Sequence, residues 1–269
     1  MGKKLEKGLG KIYRFFKGEI HELYSKVSIP NSICFSPGKE FAYYTDTSSQ
    51  KIMRVNLDKE GWPKGEAKIF VDLLAQKYFD EGLNIEVLST SSSTASQAKK
   101  LGLPLTSLNN VGRVDVVVDG ADEVDANLNL IKGGGGALLQ EKIVAESSET
   151  MIVIVDEGKV VTNLGSFPLP IEIIKFGSEF TRHMILEELR NLGYIDIYSS
   201  WRRDDKGFFL TDEGHYILDL NLNQIKDPIL IHDKIKAITG VVETGLFINL
   251  ANAVIIGDNA GQFTLKEQR

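Results

Sequence analysis

The stretch from Val116 to Lys142 reads V-V-V-D-G-A-D-E-V-D-A-N-L-N-L-I-K-G-G-G-G-A-L-L-Q-E-K and carries more chemistry than any other part of the chain. An apolar run opens it and an amphipathic run closes it, which predicts a buried strand, a polar connection and a helix. Its ionisable side chains include Asp119, Asp122, Glu123, Lys132 and Glu141. Carboxylates grouped with a lysine favour acid/base chemistry on a small polar substrate.

The segments around this stretch predict a parallel sheet with crossover helices. From Val71 onward, helix and strand signals alternate along the chain. The expected elements are a helix at 71–81, a strand I-E-V-L-S-T, a helix through S-S-T-A-S-Q-A-K-K-L-G, the strand V-D-V-V-V-D, a helix at 137–146 and the strand M-I-V-I-V. Such alternation indicates an α/β fold, predicted here as an open, mostly parallel, three-layer α/β core.

Two further units accompany this core. Residues 170–247 show the order strand, helix, strand, strand, helix, strand, which predicts an inserted ferredoxin-like βαββαβ domain. The tail strand A-V-I-I-G is expected to return to the core. Residues 1–70 show short β signals split by turn sequences and predict an antiparallel β-meander. The predicted domains are 1–70, then 71–169 with 248–269, and 170–247.

The composition fits a globular protein and excludes several partner classes. A net charge of -6 and a pI near 5.4 leave no broad basic face for nucleic acid. Cys34 is the only cysteine, so a disulfide within the chain is excluded. The sequence has no apolar leader and no run of ~18 apolar residues, so we expect a cytoplasmic protein without membrane contact.

Several short motifs of this chain are highly specific when they are taken together. They are D-G-A-D-E-V-D at 119–125, K-G-G-G at 132–135, E-K at 141–142, D-E-G-K ending at Lys159, and F-P-L-P-I-E at 167–172. Through them the chain from about Val71 to Gln268 resembles ribose-5-phosphate isomerases of the A type. The resemblance implies a homo-oligomer, dimer or tetramer, that interconverts D-ribose 5-phosphate and D-ribulose 5-phosphate in the pentose phosphate pathway. It also implies that no cofactor and no metal are needed.

The same resemblance implies roles for individual residues. Glu141 is the expected base, which would carry a proton between neighbouring carbons of the sugar. Asp119 is expected to contact substrate hydroxyls and help in ring opening, and Lys132 to stabilise negative charge on an enediolate oxygen. Further substrate contacts are expected from Gly120, Ala121, Asp122, Gly133, Gly134, Gly135 and Lys159.

A simpler structural interpretation stands beside each role. Glu141 could be a solvent-facing helix residue paired with Lys142, the aspartates could shape a turn, and the glycines could form a plain loop. The serine-rich run at 89–96 is expected to be an N-cap and turn rather than a phosphate contact. The four histidines lack metal-ligand spacing, and the glycine run does not fit a dinucleotide motif.

The N-terminal part departs from the isomerases that the rest resembles. Those enzymes open with a helix, a strand and a G-T-G-S-T-like loop that binds the substrate phosphate, and this sequence has no such loop. Residues 17–73 instead resemble a fragment of the regucalcin or gluconolactonase β-propellers, through I-P-N-S-I-C-F-S-P, F-A-Y-Y-T-D-T-S-S-Q-K-I-M-R-V and K-I-F-V-D-L. The resemblance places a metal ligand of that family at Asn31. A fragment of this length cannot close a propeller.

Three rival functions follow from this departure. The chain could be a weakly active or inactive fusion product, because the phosphate loop is missing. It could be a sugar-phosphate-binding module on the same fold. It could be a propeller-type lactonase or metal-binding protein, an alternative that only Asn31 supports. The presence of Glu141 favours catalysis.

Overall fold

The structure is a computed structural model that describes residues 10–16, 19–27, 30–35, 41–46, 51–60, 62–80, 82–257 and 263–268. The described residues before Phe70 form strands and turns, as the turn-rich sequence predicts. The strands are β1 (Gly10–Phe16), β2 (Glu19–Val27), β3 (Pro30–Phe35), β4 (Phe41–Asp46), β5 (Lys51–Leu57) and β6 (Pro63–Ile69). β1 pairs with β2, and β3 to β6 form an antiparallel sheet in sequential order, so the predicted meander is confirmed.

The α/β core begins without a linker, since β6 ends at Ile69 and the next helix begins at Phe70. The following elements are α1 (Phe70–Asp80), α2 (Ser92–Lys100), α3 (Leu108–Val111), β7 (Val114–Gly120), β8 (Glu123–Val124), β9 (Leu130–Ile131), α4 (Leu138–Ser147) and β10 (Ser148–Asp156). A short 3-10 turn at Glu157–Lys159 ends this run. The helices expected at 71–81, after Ser91 and at 137–146 are therefore confirmed.

The next unit has the order predicted for a βαββαβ domain. Its elements are β11 (Leu169–Ile173), α5 (Ser178–Asn191), β12 (Tyr198–Trp201), a β13 (Arg203–Asp204) and β14 (Gly207–Phe208) hairpin, β15 (Tyr216–Asn221), α6 (Pro228–Lys236) and β16 (Val241–Thr244). The strand order is β12-β15-β11-β16 with antiparallel pairing throughout, as in ferredoxin-like sheets. Ile171 and Leu218 from the sheet pack with Ile185 of α5 and Ile235 of α6 in one buried core.

The chain then returns to the core through β17 (Leu246–Phe247), β18 (Ala253–Gly257) and β19 (Phe263–Glu267). The main sheet has the order β19-β18-β10-β7, in which β7, β10 and β18 are parallel and β19 is antiparallel. A second sheet of short strands has the order β17-β9-β8. The α/β class and the mostly parallel sheet are confirmed.

One predicted strand is wrong. The run I-E-V-L-S-T forms no strand, and only Val87 makes an isolated parallel bridge, to Leu105. A strand needs a neighbour for its backbone hydrogen bonds, and β7, the edge of the main sheet, pairs with β10 alone among the described residues. Residues 85–90 therefore have the apolar pattern of a strand but pair with no strand among the described residues.

The faces of the main sheet contact elements from both parts of the chain. Helix α4 packs against β7 and β10, whereas β3 of the meander lies against β10 and β18. Helix α1 contacts α2 as well as β5 and β6. Within the described residues, none of the helices combines the length and apolar character that a membrane crossing requires.

Candidate active site

The three predicted catalytic residues meet at the carboxyl end of β7. Asp119 and Gly120 end that strand, Lys132 follows β9, and Glu141 lies in the first turn of α4. Open α/β sheets place their ligands at such strand ends, because loops and helix starts converge there. The fold thus joins groups that the sequence separates by up to 22 positions, from Asp119 to Glu141.

Lys132 is the centre of this cluster. Its Nζ lies 2.9 Å from Asp119 Oδ2 and 3.3 Å from Glu141 Oε2, and it donates a hydrogen bond of 2.6 Å to the carbonyl oxygen of Gly120. The residue is only 3% exposed. Burial alone would lower the pKa of Lys132, but the charges of Asp119 and Glu141 outweigh it and raise that pKa above its ordinary value. Lys132 is therefore a fixed cation.

Glu141 has the acid/base properties that proton transfer requires. Burial raises the pKa of its carboxyl to about 7, while Lys132 opposes the rise and Asp119 adds to it. Its Oε2 is buried and, within the described residues, lies close to Lys132 in a geometry that makes no hydrogen bond. A carboxyl that titrates near neutral pH can both accept and return a proton. The solvent-facing interpretation of Glu141 is wrong, because its side chain is only 16% exposed.

Asp122 organises the glycine run. Its Oδ2 accepts a hydrogen bond of 2.8 Å from the backbone N–H of Gly134. Burial raises the pKa of Asp122, and the Gly134 hydrogen bond and Lys132 oppose the rise. A Cβ at position 134 would lie 2.7 Å from Asp122 Oδ1, so the close approach requires glycine there. The glycine run is therefore a shaped loop.

Glu123 and Asp125, for which the sequence assigned no role, act within the fold. Glu123 is 3% exposed and accepts hydrogen bonds from the N–H groups of Gly165 and Phe167 at 2.6 and 2.5 Å. Asp125 Oδ1 accepts from the N–H of Asn129 at 2.8 Å. Both carboxylates hold loops that lead away from the cluster, so neither is a candidate for the chemistry.

Lys159 lies near the cluster without joining it. It ends the 3-10 turn after β10, and its Nζ lies 5.9 Å from the centre of the Phe167 ring. Its positive charge lowers the pKa of Asp122, opposing the effect of burial there. The structure thus places Lys159 where its charge reaches the glycine loop.

The serine run and the histidines follow their structural interpretations. Ser91 caps α2 by accepting a hydrogen bond from the N–H of Thr94 at 3.2 Å, as expected. His215 pairs with Glu172, and His232 with Thr244. Across the described residues, no three His, Cys, Asp or Glu side chains lie together as a metal site requires. Asn31 lies in β3, and its side chain falls outside what the structure describes.

Arg202, to which no sequence motif points, supports the glycine loop from the small domain. Its Nη1 donates to the carbonyl oxygens of Gly133 and Gly134 at 2.6 and 3.1 Å. Its other nitrogens pair with Asp219 at 3.0 and 2.5 Å. A planar, forked guanidinium suits this double contact. The sequence signal is only a W-R-R-D run, which carries no information on distant carbonyl groups.

Comparison with known proteins finds relatives for most of the chain. The family described as ribose 5-phosphate isomerase A (phosphoriboisomerase A) matches residues 86–261. Ribose-5-phosphate isomerase A of Rhodopseudomonas palustris (strain BisB18) is 50% identical over 194 residues, which cover 72% of this chain and 83% of the relative. The protein of the same name from Cereibacter sphaeroides (strain ATCC 17025) is 46% identical over 197 residues, 73% of this chain and 79% of the relative.

Solved structures agree with these relatives. Ribose 5-phosphate isomerase from Plasmodium falciparum superposes with a TM-score of 0.68 at 37% identity, covering 74% of this chain and 85% of that one. A D-ribose-5-phosphate isomerase in complex with phospho-erythronic acid gives a TM-score of 0.67 at 37% identity, with the same shares of the two chains.

The N-terminal part matches a different family. The family described as SMP-30/Gluconolactonase/LRE-like region matches residues 1–86, so this match ends where the isomerase match begins. Both resemblances inferred from the motifs are confirmed. The chain therefore joins an isomerase-like part to a shorter segment that is similar to the SMP-30/Gluconolactonase/LRE-like region.

Proposed function

Because the chain belongs to the ribose 5-phosphate isomerase A family, we propose that it interconverts D-ribose 5-phosphate and D-ribulose 5-phosphate at the Asp119, Lys132 and Glu141 cluster. The observation that carries this proposal is the contact of one buried ammonium with two carboxylates, one of which has a pKa of about 7. Such a group of charges suits an aldose–ketose isomerisation, which needs a base and a cation beside the oxygens of an enediolate.

Glu141 is the base in this proposal. In its ionised form it takes the proton from C2 of the open-chain aldose, and the electrons of the broken C–H bond form the enediolate. A proton passes from the O2 hydroxyl to O1 of the enediolate, and the protonated carboxyl then returns its proton to C1 as the C2–O2 carbonyl forms, which gives the ketose. One carboxyl suffices for both steps, because the two carbons are neighbours on one face of the substrate.

Lys132 and Asp119 act on the oxygens. The ammonium of Lys132 stabilises the charge that develops on the enediolate, and burial strengthens that interaction because water is excluded. Asp119, 2.9 Å from Lys132, holds the ammonium in place and contacts a substrate hydroxyl during ring opening. No cofactor enters this scheme.

The remaining predicted residues hold the substrate. The sugar hydroxyls meet Asp122 and the backbone of Gly120, Ala121 and the glycine run, and Lys159 attracts the anionic end of the substrate. The positive charge of Arg202 at the glycine loop adds to this attraction. The supporting observation is that the charges of Lys132, Lys159 and Arg202 all lower the pKa of Asp122 against the effect of burial, so three cations lie within electrostatic reach of that carboxyl.

The experiment is an assay of ketose formation by the purified chain. We expect measurable turnover of D-ribose 5-phosphate by the wild-type chain and the Glu146→Gln variant, because Glu146 is an exposed residue on the same helix as Glu141. Phospho-erythronic acid should inhibit both, since it is a phosphorylated acid whose carboxylate spreads its charge over two oxygens as an enediolate does. Absence of turnover together with absence of phospho-erythronic acid binding would refute the proposal.

The open edge of the sheet favours a second candidate, a weakly active fusion product. Strand β7 pairs with β10 alone among the described residues, and the isomerase match begins only at residue 86. We therefore propose the division into 1–70, 71–169 with 248–269, and 170–247, in which the first segment takes the place of the phosphate-binding start. We also propose that the chain forms a homo-oligomer, which light scattering tests, and that it is cytoplasmic, which cell fractionation tests.

A further inference from the structure

Glu141 and Lys142 are neighbours in sequence but face different surroundings. The side chain of Glu141 meets Lys132 in the active site, whereas Lys142 is 4% exposed and lies where α4 contacts β16 of the small domain. Lysine is almost never fully buried unless its ammonium is paired. A buried Lys142 therefore needs a partner for its ammonium, and that partner lies outside the reacting cluster.

The partners of Lys142 are both in β16. Its Nζ donates to Oε1 of Glu243 at 2.8 Å and to the carbonyl oxygen of Thr244 at 2.7 Å. Glu243 Oε1 also accepts the backbone N–H of Thr244 at 2.8 Å, so the carboxylate is held by its own strand. Short charge-assisted bonds between two regular elements restrict how those elements move. The pair thus ties α4 to the sheet of the small domain one residue after Glu141.

The segment 243–247 also supports the other half of the cluster. The backbone N–H of Lys132 donates to the carbonyl oxygen of Gly245 at 2.9 Å. The ring of Phe247 lies 5.5 Å from Lys132 Nζ and 4.9 Å from Lys142 Nζ, within reach of a cation–π interaction with each. One short segment therefore contacts both the strand end that carries Lys132 and the helix that carries Glu141.

Glu243 has a second cation that does not belong to α4. Lys236, in the last turn of α6, places its Nζ 2.9 Å from Oε2 of Glu243, and its side chain is 42% exposed. The same ammonium donates to the carbonyl oxygen of Val242. Replacing either lysine alone leaves the Glu243 carboxylate with one ammonium. The structure thus offers two matched deletions around one carboxylate, only one of which touches the base-bearing helix.

We propose that Lys142 is a positioning residue of the isomerase site, whose buried pair with Glu243 fixes the rotation of α4 and so holds Glu141 against Lys132. This inference rests on the proposed function and deepens it. Lys142 does not touch the reacting atoms; it acts through the helix. A displacement of about 1 Å at a reacting group can cost ~10²-fold in rate, so a restraint of this kind has a measurable effect on turnover.

The first test compares Lys142→Met with Lys236→Met in the full chain. Methionine keeps the length and apolar character of the lysine stem and removes the charge. We expect kcat of Lys142→Met to fall by about 10–100-fold with KM changed much less, because misalignment of the base affects the transition state. Lys236→Met should keep the wild-type kcat. Equal kcat for wild-type and Lys142→Met, or equal losses in the two variants, would overturn the inference.

A second measurement needs no turnover and separates this inference from the proposed function. The Glu141 carboxyl is titrated by NMR with carbon-13 labelled glutamate, assigned through Glu141→Gln. In the wild-type chain and Lys236→Met we expect a pKa near 7, and in Lys142→Met a pKa nearer the ordinary glutamate value, because a loosened helix admits water. An unchanged titration in Lys142→Met would sink the inference even if the chain isomerises its substrate.

Glu243→Gln covers the case in which Lys142→Met does not fold. The amide keeps the shape of Glu243 and can accept a hydrogen bond from Lys142, but it removes the charge. We expect the same changes in kcat and in the Glu141 titration, of smaller size. The double variant Lys142→Met/Glu243→Gln should fall no further than Lys142→Met, because partners in one interaction are not additive. Full additivity, or a Glu243→Gln variant with wild-type kcat and titration, would contradict the role of the pair.

Discussion

The carboxyl end and the outer edge of strand β7 differ sharply. At the end of the strand, Asp119 contacts Lys132, and the ammonium has three oxygen atoms around it. The outer edge has no partner, since β7 has β10 as its only paired strand among the described residues, and Val116 and Val118 on one face of β7 are 49% and 39% exposed. A packed cluster of charged side chains therefore lies beside a sheet edge that has no second strand among the described residues.

The difference teaches that the cluster depends on the later part of the chain. Lys132 follows β9, Glu141 lies on α4, and the segment 243–247 supports both. The open edge of β7, in contrast, has no second strand beside it among the described residues. The part of the chain that departs from the isomerase family is its first segment, which matches a different family. We therefore expect the chemistry to be retained and substrate affinity to be weak.

The largest loss of activity should come from removing Lys132, the cation at the centre of the packed cluster. In Lys132→Met, the enediolate loses its stabilising charge, and we expect kcat to fall by ~10²–10³-fold, as when one preorganised donor is removed. The pKa of Glu141 should rise further, because Lys132 lowers it in the wild-type chain. Thermal unfolding shows whether the variant folds. A folded Lys132→Met variant with wild-type kcat would contradict the role of Lys132.

Repairing the open side should give the next largest effect. Replacing residues 1–70 by a start that bears the G-T-G-S-T loop restores amide and hydroxyl donors for the phosphate. Each charge-assisted hydrogen bond contributes ~1.5–3 kcal/mol, so two or three together amount to about a hundredfold or more in kcat/KM. Steady-state kinetics of both chains measures this. Comparable values would mean that the open edge does not limit the enzyme.

The pH dependence should separate the cluster from the rest of the molecule. Glu141 must be ionised to accept a proton, so kcat/KM should rise about tenfold per pH unit up to pH about 7 and then level. Stability should show the opposite sign. The pKa is raised on folding, from 4.5 to about 7, so the contribution of Glu141 is present below pH 4.5 and is lost as the pH rises to about 7.

The control for the stability effect is Glu141→Gln. This variant carries no titratable group at the position, so the difference in unfolding free energy between wild-type and variant should shrink or reverse between pH 4.5 and 7. Denaturant unfolding at several pH values measures the difference. A difference that does not change with pH would mean that burial does not raise the pKa of Glu141.

The smallest effect is expected from matched valines in adjacent strands. Val153 in β10 is fully buried, whereas Val118 in β7 is 39% exposed. Val153→Thr buries a hydroxyl and should cost about 1–3 kcal/mol of unfolding free energy. Val118→Thr should stay within about 0.5 kcal/mol. Equal losses would show that the face of β7 that carries Val118 is covered in solution, for example by a second copy of the chain.

Local patterns predicted the strand end with Asp119, the helix with Glu141 and the small βαββαβ domain, because each signal lies within one element. The run I-E-V-L-S-T led to a wrong prediction, since it has the pattern of a strand but pairs with no strand among the described residues. The contacts of Lys142 with Glu243 and of Arg202 with Gly133 join positions 101 and 69 residues apart. Such pairs leave no periodic signal, so the supports of the site could not be predicted.

Proton exchange at C2 of D-ribose 5-phosphate in deuterated water tests the central claim most directly. NMR follows the loss of the C2 proton signal with wild-type chain, Glu141→Gln and Glu146→Gln. We predict exchange with wild-type and Glu146→Gln, and a loss of at least ~10²–10⁴-fold with Glu141→Gln, which folds but cannot accept the proton. Exchange at the wild-type rate with Glu141→Gln, or no exchange with the wild-type chain, would contradict the assignment of Glu141 as the base of an isomerase.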